Sequence, residues 1–170
     1  MIRFKKTELA VYLENRVYDK SLEGQVIINF TPTRATVGSA GYDLCYCGLE
    51  NITLQVGEVA KLGTGVHIYI GDMFELTGGN PDTGFAGLLM PRSSSKGAIL
   101  NNTIGLLDSD YQGELFCKYR NITSEPITIE VGERFAQVVI VPIYVGGMLE
   151  VDSFTDSTER GDGGFGSTGY

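Results

Sequence analysis

The sequence predicts an all-β domain of the sandwich or jelly-roll type with a flexible C-terminal tail. Three observations lead to that class. Short apolar or alternating runs recur along the chain at GQVIINF, NITLQV, GEVAKL, GVHIYI, GFAGLLM, GELFCKYRN, EPITIEV and RFAQVVIVPIYV, and such runs suit strands with one or both faces buried. Gly, Pro, Asn or Asp separates them, which leaves little room for long helices. The chain has 170 residues, close to the size of one domain and long enough to bury a core without disulfides.

In chain order, the N-terminal MIRFKKTELAVYLENRVYDK is mixed and charged, without the apolar centre of a secretion signal. No run of about 18 apolar residues follows, so no membrane span is expected. The strand rhythm then holds until residues 71–84, GDMFELTGGNPDTG, whose turn formers read as a long hairpin loop. Residues 93–100 form the one stretch expected to open a short helix, because consecutive serines could cap free backbone N–H groups ahead of Lys96 and Ala98. The strands resume through residue 145. Residues 160–170, RGDGGFGSTGY, hold five glycines and cannot pack alone, so they should be mobile when nothing is bound. The expected division is a β domain over 1–159 and a glycine-rich lid over 160–170.

Thirteen basic and twenty-one acidic side chains give a net charge of −8, which argues against a nucleic-acid wrapper with a broad basic surface. An anionic ligand must therefore meet a local site. Cys45, Cys47 and Cys117 are odd in number and lack a CxxC pair, so neither a disulfide framework nor a structural zinc site is expected. Reduced thiols and a cytoplasmic location follow, in a host cell's cytoplasm if the chain is viral. The sequons at Asn51, Asn101 and Asn121 are given no functional weight.

Three segments could carry chemistry. In GLLDSDYQG, 105–113, Asp108 and Asp110 would point the same way in a regular strand with Tyr111 opposed, although the composition equally suits a plain hairpin turn. PRSSSKG, 91–97, sets a guanidinium beside three hydroxyls and several backbone N–H groups, which suits phosphate oxygens but also an exposed polar turn. The tail has the spacing GxGxxG at Gly161, Gly163 and Gly166, without the helix a dinucleotide fold needs. It also offers Arg160, a flat ring at Phe165 and the hydroxyls of Ser167 and Thr168, a set suited to closing over a base and its phosphates or to a disordered terminus.

Taken in order, five segments resemble the motifs of the homotrimeric dUTPases: AGYDL at 40–44, PRSSSKG at 91–97, NTIGLLDSDYQGEL at 102–115, GERFAQVVIVP at 132–142 and RGDGGFGSTG at 160–169. The resemblance spans roughly residues 36 to 170. It departs at Ser94, where the family usually has glycine, and in the length of the 71–84 loop.

The resemblance implies a distorted, β-clip jelly roll and a Mg2+-dependent diphosphatase that cleaves dUTP to dUMP and pyrophosphate, keeping uracil out of DNA and supplying dUMP for dTMP synthesis. Asp108 would be the general base that activates water for attack on the α-phosphorus. Tyr111 would stack on the deoxyribose and exclude a 2′-hydroxyl, and Asn102 with nearby backbone would read uracil. Arg92, Ser93, Ser94, Gln137, Arg160, Gly166, Ser167 and Thr168 would hold the triphosphate, and Phe165 would lie over uracil. Asp43 would sit in the outer shell of a Mg2+ held mainly by phosphates and water. Asp43 could also cap a turn, Arg134 suits a structural ion pair as well as a phosphate ligand, and His67 in its strand is expected to have no catalytic role. In the family three copies build each site together, with no nucleic acid or membrane partner.

Two other functions compete. A dCTP deaminase shares the fold and an arginine-serine-serine segment, but needs a glutamate five residues after the hairpin glycine, where this chain has Lys118. A nucleotide-binding regulator without turnover would not need the base, the arginines and the tail together.

Overall fold

The computed structural model describes residues 2–18, 28–71, 78–102, 104–154, 158–159 and 161. Among them one four-stranded sheet joins β1 (Arg3–Lys6), β4 (Val59–Tyr69), β8 (Glu114–Asn121) and β6 (Ala98–Leu100) in the order β1-β4-β8-β6. A second runs β2-β10-β5-β7, from β2 (Tyr42–Cys45), β10 (Arg134–Tyr144), β5 (Thr83–Pro91) and β7 (Gly105–Leu107). A ribbon of β3 (Ile52–Leu54) and β9 (Ile127–Ile129) completes the strands, and every pairing is antiparallel. This is a jelly-roll-like all-β architecture, as the alternating runs predict.

β8 shows why the pattern works. Leu115, Cys117, Tyr119 and Asn121 are buried while Phe116, Lys118 and Arg120 face out, the period of two that a half-covered sheet demands. The buried side joins Leu62, Val66 and Ile68 of β4 with Leu89, Phe135 and Val138 of the other sheet in one core. Tyr119 and Phe135 meet edge to face with centroids 5.4 Å apart. Asn121 is wholly buried and donates to the carbonyls of Leu54 and Glu125 at 3.1 and 2.8 Å; it is a structural tie between turns, in keeping with a chance sequon.

The runs GEVAKL and GVHIYI form one strand, β4, because Gly63 and Gly65 serve a bulge in its pairing with β8 instead of ending it. Gly65 has φ +71, and a Cβ there would come within 2.7 Å of Cys47 Sγ and 2.9 Å of Ala10 Cβ. That close approach admits the helix α1 (Glu8–Tyr18), which sequence reasoning missed. Thr7 caps it, its Oγ1 accepting from Ala10 N at 3.2 Å, with Glu8 in the first turn. Ala10 and Leu13 pack with Phe30, Cys45 and Cys47 in a second small core. Glu14 then accepts bonds from Lys6 Nζ and Phe30 N at 2.8 and 2.7 Å, tying the helix to β1 and to the returning chain.

Residues 93–100 correct the sequence expectation. They form turns followed by β6, because Lys96 (φ 49) and Gly97 (φ 78) lie in the left-handed region that interrupts a helix, and Ala98 and Leu100 alternate with exposed Ile99. Of the expected 71–84 loop, 72–77 lie outside the described residues and Thr83 and Gly84 already belong to β5. In GQVIINF, residues 24–27 also lie outside them, and Ile28 to Phe30 form no strand although Phe30 is buried. Among the described residues no helix is long and apolar enough to cross a membrane.

Candidate active site

β10 runs between β2 and β5 and thereby gathers residues from three distant segments. Gln137 faces Asp43 on one side and Met90 on the other, and Arg134 faces Cys45. Arg92 leaves the end of β5 and places Nε 2.7 Å from Asp43 Oδ1, while Arg134 Nη1 lies 3.3 Å from Asp43 Oδ2. Asp43 is only 7% exposed, so its carboxylate is a nearly buried anion bridging two guanidiniums, a charge that burial tolerates only when paired. Arg134 thus makes the structural ion pair that is one of its two expected roles, and Asp43 is its partner.

The rest of the cluster is ordered around Arg92. Its Nη1 donates to Ser94 Oγ at 3.3 Å and to the Arg134 carbonyl at 3.2 Å, so the serine that replaces glycine is a partner of the arginine. Ser95 N donates to the Arg92 carbonyl at 3.1 Å, closing a turn that leaves Ser93 and Ser94 exposed. Gln137 Nε2 donates to the Pro91 carbonyl at 3.0 Å. Gly41 explains part of the first motif: a Cβ at that position would collide with the Gln137 amide. Lys96 locks the far side of the turn through Glu133 Oε2 at 2.8 Å and the Thr128 carbonyl at 3.1 Å.

Asp108 and Tyr111 lie elsewhere. β7 pairs with β5 through Leu89↔Gly105 and Gly87↔Leu107, so Asp108 follows at the level of Ala86, six residues along β5 from Arg92. At about 3.3 Å per residue that is roughly 20 Å. Asn102 is exposed in the turn before β7. Residues 108–113 are not regular strand: Tyr111 N donates to the Asp108 carbonyl at 3.2 Å, the turn alternative for this segment. The half-exposed Tyr111 lies across Gly113, where a Cβ would meet its hydroxyl, and donates to the Glu114 carbonyl at 3.0 Å. The Arg92 cluster and the Asp108–Tyr111 turn thus leave opposite ends of the β5–β7 pairing. Arg160, Phe165, Gly166, Ser167 and Thr168 lie outside the described residues.

Cys45 is a neighbour of the carboxylate cluster, but burial pushes its thiol up to about 11, against the opposing pull of Arg134. It is therefore protonated at neutral pH and a poor nucleophile. Among the described residues no group of three or more His, Cys, Asp or Glu could hold a metal ion. The cluster suits recognition of an oxyanion by fixed guanidiniums and hydroxyls, and the separate Asp108 is an exposed carboxylate able to accept a proton.

Comparison with known proteins points to one family. The family model described as dUTPase matches residues 29–169. A deoxyuridine 5'-triphosphate nucleotidohydrolase from Hahella chejuensis is 45% identical over 157 residues, covering 91% of this chain and 94% of that one. The dUTPase of Staphylococcus bacteriophage 80alpha, solved with dUPNHPP, superposes with a TM-score of 0.69 at 23% identity, covering 100% of this chain and 99% of the other. A mutant dUTPase from phage phi11 of S. aureus, described for its coordination of a structural Mg(II) ion, gives 0.66 at 20% identity, covering 92% and 99%.

Proposed function

The chain belongs to the dUTPase family, and from that premise we propose how its residues divide the hydrolysis of dUTP to dUMP and pyrophosphate. Arg92, Ser93, Ser94 and Gln137 hold the phosphate chain, with Arg160, Gly166, Ser167 and Thr168 of the 160–170 lid closing on it. Asp108 accepts a proton from the water that attacks the α-phosphorus in line, and pyrophosphate leaves from the opposite side. Tyr111 covers the deoxyribose where a ribonucleotide would carry its 2′-hydroxyl, Asn102 and the hairpin backbone read uracil, and Phe165 lies over the base.

Magnesium fits the donor set as an ion held chiefly by phosphate oxygens and water. Both Asp43 oxygens face guanidiniums and no carboxylate cage surrounds them among the described residues, which suits a contact through water more than direct ligation. When bound, the ion supplies charge neutralisation on the phosphates. Asp43 meanwhile keeps Arg92 and Arg134 oriented.

The Arg92 cluster and Asp108 leave opposite ends of the β5–β7 pairing, which suits a centre built by more than one copy. A homotrimer is such an assembly, one copy giving Asp43, Arg92 and Gln137, a second Asp108 and Tyr111, and a third the lid. Free, buried cysteines suit a reducing cytoplasm.

The observation that carries this reading is the pair of guanidiniums bridged by Asp43 beside an exposed serine turn. Its test is product analysis with dUTP, dCTP, dTTP and UTP in the presence of Mg2+. Release of dUMP and pyrophosphate from dUTP alone is expected; ammonia from dCTP, or no turnover of dUTP, would overturn it.

A further inference from the structure

We propose that His67 is a positioning residue for the substrate hairpin, holding the peptide that follows Tyr111 through a hydrogen bond from Nδ1 to the Gln112 carbonyl. The β4–β8 ladder has its last rung at His67 opposite Glu114. Past that rung, residues 108–113 have no strand partner, so their backbone polar groups must be fixed by other means. Two bonds come from the β4 side. His67 Nδ1 lies 2.8 Å from the Gln112 oxygen, and Gly71 N donates to the Ser109 carbonyl at 3.3 Å.

The chemistry of the acceptor fixes which way the bond runs. A carbonyl oxygen only accepts, so Nδ1–H is the donor in this bond. His67 is itself placed by the bulge: Gly65 N, inside it, donates to Glu114 Oε1 at 3.0 Å, and the Glu114 carbonyl receives the Tyr111 hydroxyl. The bulge, the ring and the hairpin therefore form one connected unit. A cleft of about 400 Å3 bordered by Arg3, Lys5, His67, Tyr69 and Gln112 opens alongside. Among the described residues, the His67 and Gly71 bonds tie the hairpin to the β4 side.

The inference rests on the reading that the hairpin holds the nucleoside, and the test separates the two. Steady-state kinetics with dUTP are compared for wild type and for His67→Ala, His67→Asn, His67→Gln and Tyr111→Ala, with thermal melting of each. Asn places its amide nitrogen where Nδ1 stands, whereas the longer Gln side chain carries its amide nitrogen farther out. His67→Ala should raise KM roughly fivefold, the scale of one neutral hydrogen bond, with kcat within about twofold. His67→Asn should restore KM and His67→Gln should not. Wild-type KM in His67→Ala, or equal damage in the Asn and Ala variants, overturns the role of the Nδ1 bond. If Tyr111→Ala also leaves KM unchanged, the hairpin is not the nucleoside site and the broader reading falls instead.

Discussion

Two side chains show how chemistry is assigned residue by residue. Asp108 is exposed at the end of β7 and lacks the buried ion pairs that occupy Asp43, so its carboxylate is available as a base while Asp43 is committed to two arginines. Asp108→Asn should keep dUTP affinity and slow turnover at least ~10²-fold, measured as kcat beside equilibrium binding; wild-type kcat would move the base elsewhere. The cysteines predict a pH effect. Burial holds Cys45 and Cys47 up at about 11 and Cys117 at about 12, above the usual 9.0. A proton kept by the fold and lost by the unfolded chain stabilises the fold below about pH 9, and that stability is lost as pH rises toward 11 to 12. Melting temperature should fall across that window, and a flat profile from pH 8 to 11 would show the thiols to be uninvolved.

Elements were legible where their period was clean. β8 and β10 alternate or run apolar over eight and eleven residues, and both stand where the sequence places them. Helix α1 escaped because its apolar positions are interrupted: among its described side chains Ala10 and Leu13 are buried, while Val11 and Tyr12 are exposed, and its docking depends on the close approach at Gly65. Gly65→Ala should therefore undock the helix, costing about 2 kcal/mol from a left-handed backbone and a blocked contact, read as a fall in the unfolding midpoint; an unchanged midpoint would mean the helix docks by other means. The helix expected at 93–100 failed for the reverse reason. Its serines suit a cap, but the backbone of Lys96 and Gly97 follows the tertiary demand that Ala98 and Leu100 reach the core beside β8. The candidate site was readable as motifs in order, whereas the Asp43 bridge and the His67 bond join residues separated by 91 and 45 positions, a pairing no local pattern encodes.

At the scale of the molecule, the chain is acidic overall, at −8, yet concentrates Arg92 and Arg134 at one carboxylate, so attraction of a polyanion is local and salt-sensitive. A centre shared between copies predicts complementation. Arg92→Ala and Asp108→Asn chains, each inactive alone, should regain part of the wild-type rate when unfolded together and refolded as a mixture; a mixture as inactive as its components would mean that each chain works alone. The stretch after β10 bears on the same question. Met148, Leu149 and Phe154, within one stretch of seven residues, are 99%, 87% and 93% exposed. Neighbours in the assembly we propose are expected to shelter these side chains, and dilution to uncover them. Great dilution is then harsher on this protein than mild warming: enzyme is lost to vessel walls and precipitate first, and a bystander protein or a detergent preserves it.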